Sequence, residues 1–111
     1  MSNYVPERGH VVWLNFTPQS GHEQAGKRPA FVVSPATYNK KVGLALFCPI
    51  TSQIKGYPFE VIIPAGNKIL GVILSDQVKS LDWHARNAKY IQKLPLNVSE
   101  EVISKLATLI I

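Results

Sequence analysis

The chain has 111 residues, of which 46% are hydrophobic and 17% charged. That excludes a disordered chain and leaves room for one modest core, so one domain over residues 1–111 is expected. Twelve Lys/Arg stand against seven Asp/Glu, a net charge of +5 and a pI of about 9.5, which suits nucleic acid and an acidic protein partner equally well. Cys48 is the one cysteine, and this excludes a disulfide framework. The start of the chain lacks the layout of a signal peptide, and no apolar run approaches the ~20 residues of a membrane span. A cytoplasmic protein with no membrane partner is therefore expected.

Short apolar runs follow one another between turn-formers, the pattern of a small barrel or sandwich. The first strand is predicted at residues 10–16, rich in β-formers and ended by Thr17, Pro18 and Gln19. A polar loop at residues 21–29 leads into the second, at 30–34. Residues 35–40 predict one helical turn. The third strand, at 44–51, contains Pro49, which donates no ladder bond and so marks an edge or a strand end. The fourth and fifth lie at 59–63 and 70–75, with further strand character at 77–81 and 89–91. In the third run, Leu44, Leu46 and Ile50 fall on one side, and Ala45 and Phe47 on the other. Such a strand is covered on both faces, by a helix or by another subunit.

The C-terminus reads as a helix. Asn97 followed by Glu100 has capping-box spacing. Val98, Val102, Ile103, Leu106, Leu109 and Ile110 then recur at helical intervals. Burying that stripe contributes about 1.5–3 kcal/mol per large side chain. This helix is a core lid, and the reactive residues lie on loops and strand ends.

Those residues narrow the chemistry. His10, His22 and His84 have no zinc-site spacing, so no metal is expected. Neither a Gly-x-Ser-x-Gly elbow nor a phosphate-cradling glycine loop occurs, and no cofactor is expected. What remains is acid, base and cation. His22, Glu23, Gln24, Lys27 and Arg28 lie in one loop, Thr51 and Ser52 end a strand, and Asp76 and Gln77 end another. Lys55 beside Tyr57 and Phe59 interleaves basic and aromatic groups, as nucleic-acid surfaces do. If the strands close into a barrel, the three ends share one rim. A guanidinium can hold two phosphate oxygens at once, and a hydroxyl can donate a third bond. Each such donor supplies ~10²–10³ in rate, and a placed acid or base ~10²–10⁴. That suffices for RNA, which carries its own 2′-hydroxyl nucleophile. DNA lacks that group. Each residue has a plainer reading as well: Arg28 as a surface cation, Glu23 as a solvated carboxylate, Thr51 and Ser52 as a turn, Asp76 as an Asx-turn former.

Taken together, the motifs resemble those of the MazF/PemK family of toxin endoribonucleases. The likeness runs through residues 21–29, Phe31, Val32, Val33, Ser34 and Pro35. It continues in Pro49, Ile50, Thr51 and Ser52, in residues 55–61, and in Asp76, Gln77, Val78, Lys79 and Ser80 with Trp83, Ala85 and Arg86 beyond. Arg8 and Gly9 fit its opening, and the likeness covers almost the whole chain.

The resemblance implies a mainly β fold with a C-terminal helix, an SH3-like β-barrel of the MazF/PemK/CcdB type, assembled as a homodimer. It implies metal-independent cleavage of single-stranded RNA. It implies inhibition by an acidic antitoxin, through which alone DNA is contacted. The family's catalytic arginine and threonine fall on Arg28 and Thr51, and its loop glutamate on Glu23. His22, Gln24, Lys27, Ser52, Lys55, Asp76, Gln77 and Lys79 are the expected substrate contacts. In the PemK-like branch an arginine two residues before the aspartate joins catalysis. Here that place is Leu74, which favours the Arg28/Thr51 version. Arginine stays protonated, so Arg28 is assigned charge stabilisation, and base work falls to Glu23, His22 or water. Two rivals remain open: a gyrase-poisoning interaction toxin of the same fold, and a module that binds RNA without cutting it.

Overall fold

The computed structural model describes residues 3–16 and 26–111. In chain order they form β1 (His10–Phe16), β2 (Gly26–Val32), α1 (Ala36–Val42), β3 (Ala45–Thr51), β4 (Glu60–Ile62), β5 (Val72–Leu74), β6 (Lys79–Leu81), β7 (Lys89–Lys93) and α2 (Leu96–Ala107). The strands make one antiparallel path, β4-β5-β3-β2-β1-β7, with β6 also on β3. The two end strands, β4 and β7, are not paired with each other, so the sheet is not closed.

The alternation of side chains across the strands makes two apolar layers. Val11, Phe31, Cys48, Ile50, Val61 and Ile73 form one, and α2 covers it with Val98, Val102 and Leu106. Val12, Leu14, Ala30, Val32, Ala45 and Phe47 form the other, under Tyr4, Phe16, Leu81, Trp83 and Ala88. The expected split within the third strand holds, with Leu46 and Ile50 on the first layer and Ala45 and Phe47 on the second. Helix α2 covers one face, and residues 81–88 with Tyr4 cover the other.

Three sequence expectations need correction. Pro49 lies within β3, a central strand, and not at an edge. It falls in the gap where one side of β3 changes partner from β6, at residues 45–47, to β5, at residues 50–51. No ladder bond is lost there. The capping box does not form: α2 starts two residues earlier, with Pro95 at its cap and no side-chain cap bond, which leaves Asn97 inside the first turn. Pro95, at a non-helical ψ of 150°, stands just outside the helix and so sets its start ahead of Asn97. The apolar stripe stops at Leu106; Leu109 and Ile110 lie past the helix and are exposed.

A buried polar knot ties the N-terminal segment to α1 and β3. Asn39 is fully buried on α1. Its Nδ2 donates to the carbonyls of Pro6 at 2.8 Å and Ser34 at 3.0 Å. Ser34 Oγ donates to Asn39 Oδ1 at 2.5 Å and accepts from the Leu46 amide at 2.8 Å. The Trp83 indole donates to the Asn39 carbonyl at 2.9 Å. Trp83 is thus a core residue, as its sequence context suggests.

Candidate active site

Strand β2 begins at Gly26, four residues ahead of its apolar run. Arg28 is therefore a strand residue, opposite Leu14 on β1. On the other side β2 pairs β3 with Val32 against Phe47, Phe31 against Cys48 and Ala30 against Pro49. That pairing ends at Ala30 and Pro49, and Arg28 and Thr51 lie two residues beyond it on their strands.

Both residues line the same two grooves. The first, of about 460 Å³, is lined by Arg28, Pro49, Ile50 and Thr51 together with Gln53, Lys55, Tyr57, Glu60, Leu74 and Gln77. The second, of about 440 Å³, adds Pro29, Ser52, Lys68, Ile69 and Leu70 to Arg28, Ile50 and Thr51. Arg28 and Thr51 thus form a saddle with a groove falling away on each side.

The surroundings of Thr51 are tightly set. Its Oγ1 accepts the Gln53 amide at 3.1 Å, which leaves the hydroxyl proton to donate elsewhere. Its carbonyl is approached so closely by Gly71 that a Cβ there would stand 2.2 Å from it, at a φ of +124°. Only glycine lets β5 enter at that separation.

Two carboxylates anchor the far wall. Glu60, at 8% exposure, accepts the Lys55 amide on Oε2 and the Gly56 amide on Oε1, each at 3.1 Å. Asp76 Oδ2 accepts the Tyr57 hydroxyl. Its Oδ1 is buried and has no partner among the described residues. Donation to Asp76 raises the Tyr57 phenol above the usual tyrosine range, and desolvation and the charge of Asp76 add to the shift. The Cys48 thiol is pushed up to about 12, mainly by burial and then by Asp76, so it remains a protonated core residue.

The other expected site residues divide. Ser52, Lys55 and Gln77 line the grooves, and Asp76 anchors their wall through Tyr57. Lys27, opposite Asn15 on β1, and Lys79, opposite Phe47 on β3, line neither groove. His22, Glu23 and Gln24 lie outside the described residues. No group of three His, Cys, Asp or Glu side chains placed to hold a metal occurs among the described residues. Glu60 was missed by sequence reasoning, although a signal existed. It is a charged residue inside an apolar strand run, and a buried carboxylate there must find donors.

The fold and cleft define a mostly antiparallel sheet protein with an arginine–hydroxyl pair on the saddle between two grooves. The family model for PemK-like, MazF-like toxin of type II toxin-antitoxin system matches residues 7–110. The chain belongs to this family. It is 53% identical over 88 residues to the endoribonuclease toxin MazF of Escherichia coli, covering 79% of this chain and 78% of that protein. It is 32% identical over 108 residues to the endoribonuclease PemK of Escherichia coli, covering 94% and 81%. A crystal structure of MazE–MazF from Deinococcus radiodurans superposes with a TM-score of 0.91 at 55% identity, covering 96% of each chain.

Proposed function

We propose that this chain is an endoribonuclease toxin that cuts single-stranded RNA at the Arg28–Thr51 saddle and is held inactive by an antitoxin. The observation that carries the reading is that a guanidinium residue of β2 and a hydroxyl residue of β3 line the same two grooves. A strand of RNA laid across the saddle puts one phosphate at Arg28 and Thr51 and sends its neighbours down either groove. Arg28 holds the two non-bridging oxygens with its fork, and Thr51 donates its free proton to one of them. Both bonds strengthen as charge builds on phosphorus.

The substrate's 2′-oxygen attacks the adjacent phosphorus and the bond to the 5′-oxygen breaks. The 2′-hydroxyl proton goes to a base, and the departing oxygen takes up a proton. The products are a 2′,3′-cyclic phosphate and a free 5′-hydroxyl. Base work falls to Glu23, His22 or water. Ser52, Lys55, Asp76 and Gln77 contact the flanking nucleotides, with His22, Gln24, Lys27 and Lys79 completing the expected set.

The net +5 supports an acidic antitoxin chain as the tight partner. A homodimer is the working assembly, and DNA is reached only through the antitoxin. No feature of the cleft favours the gyrase-poisoning or the non-cleaving reading.

Incubation of the purified chain with RNA in EDTA tests the proposal. Fragments ending in cyclic phosphate are expected. RNA left intact in every sequence context would remove both the reaction and its metal independence.

A further inference from the structure

We propose that Glu60 is a positioning residue: its carboxylate holds residues 55–57 as the recognition wall of the first groove, and so sets how tightly and selectively RNA is gripped. The inference rests on the RNA-cleaving reading above. It starts from a cost. A carboxylate that is 8% exposed on a three-residue end strand is destabilising unless it is fully hydrogen-bonded.

Glu60 meets that cost with backbone alone. Its two oxygens take the consecutive amides of Lys55 and Gly56, and its own amide donates to the Tyr57 carbonyl at 3.0 Å. Three bonds thus close residues 55–60 into one turn, two of them charge-assisted. The side chains of that turn are the exposed ones. Tyr57 is 44% exposed and is braced from the other side by Asp76. Lys55 is exposed in the same wall. Tyr57 offers a flat face for a nucleobase, and Lys55 a cation for the phosphate next to it.

Glu60 lines the same groove as Arg28 and Thr51, which raises the question of a direct catalytic part. A general base must come within hydrogen-bond reach of the proton it removes, and Glu60 is buried with each oxygen turned to a backbone amide. We assign its effect on substrate to Lys55 and Tyr57, and the kinetic split below separates the two roles. This role separates grip from chemistry: loosening the wall weakens binding of the flanking nucleotides and leaves the phosphate-holding pair in place.

Glu60→Gln is the test, because it keeps the shape and sets an NH₂ against a backbone N–H where an acceptor stood. Cleavage of an RNA oligonucleotide in EDTA is followed with mapping of cut sites and amide hydrogen exchange. KM is expected to rise about tenfold with kcat within about twofold. Cut-site selectivity should loosen, and the Lys55 and Gly56 amides should lose protection. The control is Val102→Ala, on the buried face of α2, which lowers stability but keeps the parental KM and cut sites below its melting temperature. Parental KM and selectivity in Glu60→Gln would overturn the proposal. A fall in kcat at unchanged KM would overturn it too, because Glu60 would then act at the phosphate itself. Should the variant not fold, exchange in the parent decides: protection of both amides like that of ladder amides supports the proposal, and free exchange overturns it. A parent that cuts no RNA removes the RNA-cleaving reading instead, and the two failures are distinct.

Discussion

The knot around Asn39 and the saddle at Arg28 and Thr51 both rest on β3, at opposite ends, and they use polar groups in contrary ways. In the knot, Asn39 is fully buried and its amide and carbonyl groups are matched with Pro6, Ser34 and Trp83. Satisfied groups of that kind lock a core and offer nothing to a ligand. On the saddle, Arg28 and Thr51 are partly exposed, and Ser52, Gln53, Lys55, Tyr57 and Gln77 around them are open to solvent. There the bonds go into the backbone beneath: Glu60 to two amides, Thr51 Oγ1 to a third. Bonds to backbone hold residues 51–60 in place, while the side chains of Ser52, Gln53, Lys55 and Tyr57 face solvent.

Breaking the saddle should have the largest effect. Arg28→Lys keeps the charge and loses the fork, so RNA cleavage should fall by about 10²–10³-fold with the melting temperature almost unchanged. Initial cleavage rates and a thermal melt measure both halves. A fully active lysine variant would erase the contrast. Asn39→Ala should do the reverse. It strips the knot and costs about 1–3 kcal/mol of stability, seen in urea denaturation, while each folded molecule cuts RNA at the parental rate.

The smallest effect sharpens the comparison at a third place, on β1. His10 Nδ1 pairs with the Tyr4 hydroxyl at 2.8 Å, and its Nε2 lies 3.6 Å from Glu7. Tyr90 packs edge-on to the ring, with centroids 4.8 Å apart. Burial lowers the His10 pKa as the main cause, Glu7 raises it, and Lys93 lowers it. The folded state then binds fewer protons than the unfolded one. The stability this contributes is present above the unfolded pKa of about 6.5 and is lost as pH falls through the lower folded value. Melting temperatures should drop between about pH 7 and pH 5. His10→Gln should flatten that drop, and an equal drop in the variant would take the effect away from His10.

Much of the fold was legible in the chain. The first strand was bounded correctly, because residues 10–16 are almost all β-formers and meet a turn signal at once. The reading of 30–34 sets β2 too far along the chain: it runs over Gly26–Val32, because Gly26, Lys27 and Arg28 carry no apolar pattern and belong to the ladder through β1. The helix after β2 was read as one turn, although it runs over Ala36–Val42; its buried face is Asn39, which hydropathy does not mark. Arg28 and Thr51 were found as motif residues. Glu60 was not: its place in an apolar run marks a buried carboxylate that needs donors, but which amides supply them is settled by the fold.

The sequence by itself determined the chemistry available: a basic chain, one idle cysteine, a loop rich in acid, base and cation, and family motifs in order along its length. Only the tertiary structure decided which of these groups meet. Arg28 of β2 and Thr51 of β3 come to line the same two grooves, and Gly71 lets β5 close on Thr51. The physical reason is that pattern and propensity act over a few residues, whereas ladder register and the need to satisfy a buried carboxylate are settled between segments far apart in the chain.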